Sequence, residues 1–463
     1  MGFIASGQLD SANPDTSEIK LVELLSALSH ALDMTEGQPA GHCMRCCWIG
    51  LMIAVELKLS DIETFEVCYT ILLKDLGCSS NAARICELYL VDDIAFKQDF
   101  KRIDGSLPQA LRFVLSHTGL KSGLAERFHA LIKIFKNGGS ISSELIETRC
   151  QRGAEIARRL RFGGRVSDAI AHLDEHWDGN GKPAGLARKS IPLYSQIGLL
   201  AQVVDVFQQV DGELGARLEI ENRSGSWFDP ELVAVFKRIS LRPSFWDSIR
   251  SEHLIDDIFS LLPASQGHPV DDDYLDQIAE GFAAVVDAKS SFTAGHSERV
   301  ALYADLIASE LSLSEQHRRW LKRAALLHDI GKLGVSNSIL DKPGKLDEGE
   351  WAQLRQHAVF SEIILSRVAA FRSMAPIAAA HHERIDGKGY PKGLKGDEIA
   401  LESRILAVAD IFDALTADRP YRAAMSVAKA FSIIDSEVGV ALDGRCVTAL
   451  KAALRKNELA EVA

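Results

Sequence analysis

AGHSERVALYADLIASELSLSEQHRRWLKRAALLHDIGK, residues 294–332, is the stretch that decides the fold. Within it, VALYADLIASELSL and RRWLKRAALLHDI carry apolar residues at i, i+3, i+4 and i+7, which is one face of an α-helix. The same period runs through almost the whole chain, and strand-like alternation is sparse. Proline and glycine gather in short connectors such as LDKPGKLD and DGKGYPKGL. The pattern predicts an all-α protein.

The start of this stretch occurs twice. AGHCMRCCWIGLMIAVELKLS from Ala40 parallels AGHSERVALYADLIASELSLS from Ala294 at an offset of 254, and the match holds to LLKDLG (Leu72 to Gly77) against LLHDIG (Leu326 to Gly331). EHWDGNGKPAGL from Glu175 parallels ERIDGKGYPKGL from Glu383 at an offset of 208. Asp205-Val-Phe is then paired with Asp410-Ile-Phe, and FDPELVAVF from Phe228 loosely matches LDGRCVTAL from Leu442. Blocks recurring in the same order predict a duplicated unit. We expect two tandem helical domains, 17–245 and 273–460. The linker at 246–272 begins helical and ends polar, with LLPASQGHPVDDD inside it.

Composition narrows the function. The 463 residues suit two or three domains, and 47% apolar with 25% charged residues is ordinary for a globular protein. A formal net charge of -12 argues against general affinity for nucleic acid polymers or anionic membranes. An anionic ligand would need local cations or metal ions. No apolar run approaches a membrane span and the N-terminus lacks a signal-peptide pattern, so a cytoplasmic protein is expected. The MGFIAS start fits the loose myristoylation pattern and is set aside as a chance match. The eight cysteines, seven of them before residue 151, lack paired zinc-site spacing and read as small buried hydrophobes.

The chemistry-bearing residues lie in the second repeat: His296, His328, Asp329, His357, His381, His382 and Asp410. Imidazole and carboxylate ligate zinc, manganese or iron in hydrolytic sites. A bridging carboxylate can hold two such ions, which polarise a phosphoryl centre and acidify water. Each residue alone has a structural reading, since a lone histidine on a helix is more often packed than ligating. The set as a whole points to a metal-dependent phosphodiesterase. Lys332, four residues after His328, is expected on the same helix face, as a phosphate contact or a solvated helix-end charge. Arg419 and Arg422 carry the same two readings. Gly387, Gly389, Tyr390 and Pro391 form a tight loop in which Tyr390 could stack on a base.

The order HSERV, HDIGK, KPGKL, a lone His, HHERIDGKGYPKGL and ILAVADIFDALTADRPYR resembles an HD-GYP domain of the HD superfamily, over roughly residues 280 to 450. The resemblance implies an all-helical fold and a centre of two or three ions, usually iron or manganese; with the internal repeat, the expectation becomes two tandem helical HD-type domains. It also implies hydrolysis of a cyclic dinucleotide, cyclic di-GMP first, to the linear form by a metal-bridging hydroxide. Residue by residue, it places one metal on His296, His328, Asp329 and Asp410. The second falls on His357, His381 and His382, with Asp329 bridging. Asp329 and Lys332 would be catalytic, and Lys332, Tyr390, Arg419 and Arg422 would bind the dinucleotide. Three-metal members carry a carboxylate where this chain has Phe292, so two divalent ions are expected.

The first repeat is expected to be a degenerate, non-catalytic copy. His42, Asp75 and Asp205 stand opposite His296, Asp329 and Asp410, but Lys74 replaces His328 and Arg149 replaces His357. Leu173 and Asp174 replace the double histidine, Cys78 replaces Lys332 and Lys182 replaces Tyr390. A lysine at a metal position opposes metal binding. Such a copy can pack, dimerise (a homodimer is one option) or bind a regulator. Two other functions stay open: hydrolysis of another cyclic dinucleotide such as cyclic GMP-AMP, and a nucleotide-responsive adapter without turnover.

Overall fold

Two glycines set the pattern of the molecule. Gly41 and Gly295 hold left-handed backbone, at φ 82° and 67°, immediately before the helices His42–Glu56 and His296–Glu310. That conformation costs glycine little. Each following histidine is thereby the first helical residue. Ser60 and Ser314 then cap the next helices, Asp61–Leu72 and Glu315–Leu327, each side chain accepting a backbone N–H.

The computed structural model describes residues 21–103, 107–120, 123–263, 270–290, 292–418 and 423–462. Every regular element among them is a helix, and β-type pairing is limited to the isolated bridges Ser224–Phe228 and Val438–Leu442. The all-α expectation agrees with this. No helix among the described residues is long and apolar enough to cross a membrane.

Local hydrogen bonds recur between the halves. Ser195 Oγ donates to the Ala169 carbonyl, and Ser403 Oγ to that of Ile377. Glu175 accepts from the amides of Ala184 and Leu186, as Glu383 does from those of Lys392 and Leu394. All five residue pairs keep the offset of 208. That offset therefore runs without a gap into the helices Leu193–Asn222 and Leu401–Thr416. It corrects one sequence pairing: Asp205 stands opposite Asp413, and Gln202 stands opposite Asp410. The sequence match slipped by three residues because both Asp-x-Phe triplets lie on similar helices.

The fall in offset from 254 to 208 reflects 46 extra residues in the N-terminal half between Gly77 and Arg149. They build the helices Asp93–Phe100 and Leu107–His117 and lengthen Leu124–Arg159 to 36 residues. Tyr89, Phe96, Phe113, Ile134 and Ile141 form a small separate core there.

The segment that sequence assigns to a linker begins as packed structure. Phe245 and Trp246 are buried on the helix Pro243–Arg250, and Trp48 Nε1 donates to the Phe245 carbonyl at 3.0 Å. The helix Leu254–Leu261 also lies against His42–Glu56. The next helix, Asp272–Asp287, bridges the halves. Tyr274 Oη donates to the Leu160 carbonyl at 2.8 Å, and Ser79 Oγ donates to that of Val285 at 2.7 Å. The main apolar core extends from Leu21 to Leu450 through both halves.

Candidate metal centre

Asp329 sits where the helix Glu315–Leu327 gives way to the 3-10 turn Ile330–Gly334. The α-helix stops here because Gly331 presses on the helix Glu348–Ser366. A Cβ at Gly331 would lie 1.9 Å from the His357 carbonyl oxygen. Ser361 secures the crossing: its hydroxyl donates to the His328 carbonyl at 2.8 Å and accepts the Gly331 amide at 2.9 Å. Lys332 therefore does not continue the helix face of His328, as sequence spacing suggested. The tighter turn brings its ammonium onto Asp329 Oδ2 instead.

The two oxygens of Asp329 face two groups of histidines. Oδ2 lies 3.2 Å from His328 Nε2 and 3.5 Å from His296 Nε2, and His296 Nε2 is 3.4 Å from Asp410 Oδ1. Oδ1 lies 3.6 Å from His357 Nε2 and 3.8 Å from His381 Nε2. Donor atoms of His357, His381 and His382 gather as one group, and those of His296, His328 and Asp410 as another. All seven His and Asp positions read from the sequence thus converge.

Backbone carbonyls orient the rings. Nδ1 of His328, His357 and His381 bonds the carbonyls of Ala325, Leu354 and Ala378, each three residues earlier. A carbonyl only accepts, so Nδ1 carries the proton and Nε2 keeps its lone pair. Nε2 of His296, His328, His357 and His381 and Oδ1 of Asp329 are buried without a hydrogen-bond partner. Burying that many unsatisfied polar atoms in one place costs several kcal/mol by the usual ~1–3 kcal/mol each. Bound cations remove that cost, so the residues fit a metal centre.

The electrostatics agree. Burial, with neighbouring histidines adding to it, pushes His381 down to about 3 and also lowers His357 and His382, so these rings are neutral at neutral pH, the form that can ligate a metal. Burial opposes ionisation of Asp329, but His328 and Lys332 outweigh it and hold the carboxyl well below its ordinary value. His296 goes the other way. Burial is outweighed by Asp329 and Asp413, which raise it to about 9, so a cation arriving there displaces a proton.

Sequence reasoning missed the residues behind these. Asp413 accepts His296 Nδ1 at 2.7 Å and is held by Arg299 Nε at 2.5 Å. Glu383 ties the loop containing Tyr390 through three backbone amides. Tyr390 packs on the His382 ring at 4.8 Å, and the Arg355 guanidinium lies 5.4 Å from its centroid. Arg419 and Arg422 lie outside the described residues.

The equivalent place in the N-terminal half is built from ammonium groups. Lys74 Nζ contacts Asp75 Oδ2 and lies 3.2 Å from His42 Nε2. Lys101 Nζ is 3.9 Å from Asp75 Oδ1 and 2.8 Å from Glu36. Arg149 pairs with Asp174. His42 Nδ1 and Arg45 both hold Asp205, as His296 and Arg299 hold Asp413. The hydrogen bonds that place the first histidine are kept, while cations stand beside both oxygens of the central aspartate.

A family model described as HD domain matches residues 121–232 and 282–446, and the chain belongs to that family. Its relatives are phosphodiesterases of cyclic dinucleotides. It is 52% identical to the 3'3'-cGAMP-specific phosphodiesterase 3 of Vibrio cholerae serotype O1 over 434 residues, 94% of each chain. A crystal structure of the V. cholerae cyclic GMP-AMP specific phosphodiesterase V-cGAP3 superposes with a TM-score of 0.64 at 47% identity, covering 94% of this chain and 98% of that one. The cyclic di-GMP phosphodiesterase response regulator RpfG of Xanthomonas campestris is 42% identical over 170 residues, 36% of this chain and 45% of that one.

Proposed function

We propose that this cyclic dinucleotide phosphodiesterase hydrolyses 3'3'-cGAMP to the linear dinucleotide, at the centre around Asp329. The observation that carries the reading is the carboxylate whose two oxygens face two sets of buried, unpartnered imidazole nitrogens. Likeness to the V. cholerae 3'3'-cGAMP enzyme along 94% of both chains supports this substrate over cyclic di-GMP, whose compared relative matches only about a third of the chain. The order of preference drawn from sequence motifs is thereby reversed. Those motifs belong to the shared catalytic centre and do not read the second base.

His296, His328, Asp329 and Asp410 would hold one divalent ion. His357, His381 and His382 would hold a second, with Asp329 shared. Iron and manganese suit these donors equally. When bound, such ions supply Lewis acidity toward the phosphoryl oxygens and an acidified water. The chain's own groups do the rest. Carbonyl-locked rings keep their lone pairs directed inward, and Asp413 fixes His296. Lys332, beside Asp329, offers an ammonium to a non-bridging phosphate oxygen. Tyr390 and Arg355 form one wall next to His382. Arg419 and Arg422 are proposed as further phosphate contacts.

We read the chain as two tandem HD-type units, 17–245 and 273–460, with catalysis in the second alone. The matched local hydrogen bonds and the paired family matches support the duplication. The ammonium groups on Asp75 support a metal-free first copy.

The test is the initial rate of manganese- or iron-loaded protein on 3'3'-cGAMP, cyclic di-GMP and cyclic di-AMP, with products separated by chromatography. The reading predicts the highest kcat/KM on 3'3'-cGAMP. A higher value on cyclic di-GMP would return the substrate to the motif-based assignment.

A further inference from the structure

The N-terminal half reaches the back of the turn that carries Asp329 and Lys332, and one carboxylate makes the polar part of that contact. Asp93 is fully buried on the helix Asp93–Phe100, within the 46 residues the C-terminal half lacks. Its Oδ1 accepts the Asn337 amide at 2.8 Å and the Ser336 hydroxyl at 3.1 Å. Its Oδ2 lies 3.4 Å from Lys289 Nζ and 3.5 Å from Lys97 Nζ.

These partners are the two ends of the catalytic segment. Ser336 and Asn337 follow Lys332 by four and five residues, and the Val335 amide closes the turn on the Lys332 carbonyl at 3.0 Å. Lys289, only 1% exposed, lies seven residues before His296. Its carbonyl accepts Asn337 Nδ2 at 2.6 Å. One side chain from the N-terminal half therefore ties the exit of the Asp329–Lys332 turn to the entry of the His296 helix. The helix Leu21–Thr35 closes the other flank, since a Cβ at Gly334 would stand 2.3 Å from Met34 Cε.

We propose that Asp93 is a positioning residue for the catalytic centre, acting through Ser336, Asn337 and Lys289 without touching substrate. This rests on the reading that hydrolysis occurs around Asp329. The N-terminal half then contributes to turnover through the placement of Lys332. Losing Asp93 leaves the Asn337 amide without its acceptor and Lys289 as a buried ammonium without a carboxylate. A displacement of about 1 Å in such a turn costs up to roughly 100-fold in rate.

The experiment compares full-length, metal-loaded wild type with Asp93→Ala, Asp93→Asn and the double variant Asp93→Ala/Lys289→Met. It reads kcat, KM, metal per chain and melting temperature with 3'3'-cGAMP. We expect Asp93→Ala to lose about tenfold or more in kcat, with KM and metal content little changed. Asp93→Asn keeps an acceptor for Asn337 and Ser336 and recovers most of the rate. The double variant removes the stranded charge, so it regains the melting temperature but stays slow. Wild-type kcat in Asp93→Ala, recovery of rate together with stability in the double variant, or metal lost in proportion to activity would each overturn the proposal. A wild-type protein without turnover on any cyclic dinucleotide would overturn the underlying reading instead.

Discussion

Asp413 is the residue whose role the structure changes most. It lies three positions after Asp410 on the same helix, so both carboxylates reach His296, one at each ring nitrogen. Only Asp410 is free to act as a ligand, because Asp413 is engaged by Arg299 and by His296 Nδ1. Carboxylates that orient a ligating histidine usually matter for metal affinity by roughly 10–100-fold. Asp413→Ala is expected to weaken one metal ion by that factor, read by competition with a chromophoric chelator, while His357, His381 and His382 keep the other. Unchanged affinity for both ions would contradict this. The signal was present in the sequence. Carrying the offset of 208 forward through Ser195 and Ser403 pairs Asp205 with Asp413, and only the resemblance of the two Asp-x-Phe triplets hid it.

The elements around the site were legible to different degrees. Helices announced themselves by apolar period, while the caps at Ser60 and Ser314 came from the structure. The 3-10 turn Ile330–Gly334 did not, because LLHDIGKLG reads as continuous helix until another chain segment presses on it. Tertiary contact overrides the local pattern there. Gly331→Ala tests the contact: its methyl would meet backbone, which cannot rotate away, so the variant should lose ~3 kcal/mol or more of stability in urea unfolding. Stability within ~0.5 kcal/mol of wild type would show that the two helices separate easily. The loop after the double histidine has similar hidden support. Glu383, read as part of a motif string, holds the backbone that presents Tyr390.

At the scale of the whole molecule, one buried carboxylate from the segment between Gly77 and Arg149 adds to the polar contacts that Tyr274 and Ser79 make between the halves. Sequence comparison does not find Asp93, because Lys289 and Asn337, its partners in the other half, lie 196 and 244 positions away. Burial opposes its ionisation, but Lys289, Lys97 and bonds from Asn337 and Ser336 outweigh that and hold it at about 2. A depressed carboxyl stabilises the fold above its unfolded value near 3.8, and that contribution is lost as pH falls through about 2. Metal-free wild type should therefore lose roughly 2 kcal/mol more than Asp93→Asn between pH 5 and pH 2, measured by urea unfolding. Parallel pH profiles would mean that Lys289 is neutral in the folded protein. The difference in charge between the two halves around Asp75 and Asp329 was readable in the sequence from Lys74 and Arg149. What sequence left hidden is that Lys101, from the extra segment, approaches the second oxygen of Asp75.

The most direct measurement is a titration of the metal-free full-length protein with manganese while 3'3'-cGAMP hydrolysis is followed, run in parallel on Asp329→Ala. The account predicts no turnover without metal, a rise that levels off at two ions per chain, and neither tight binding nor turnover in the variant. Turnover by the stripped protein, activity surviving in Asp329→Ala, or a plateau at three ions would contradict it.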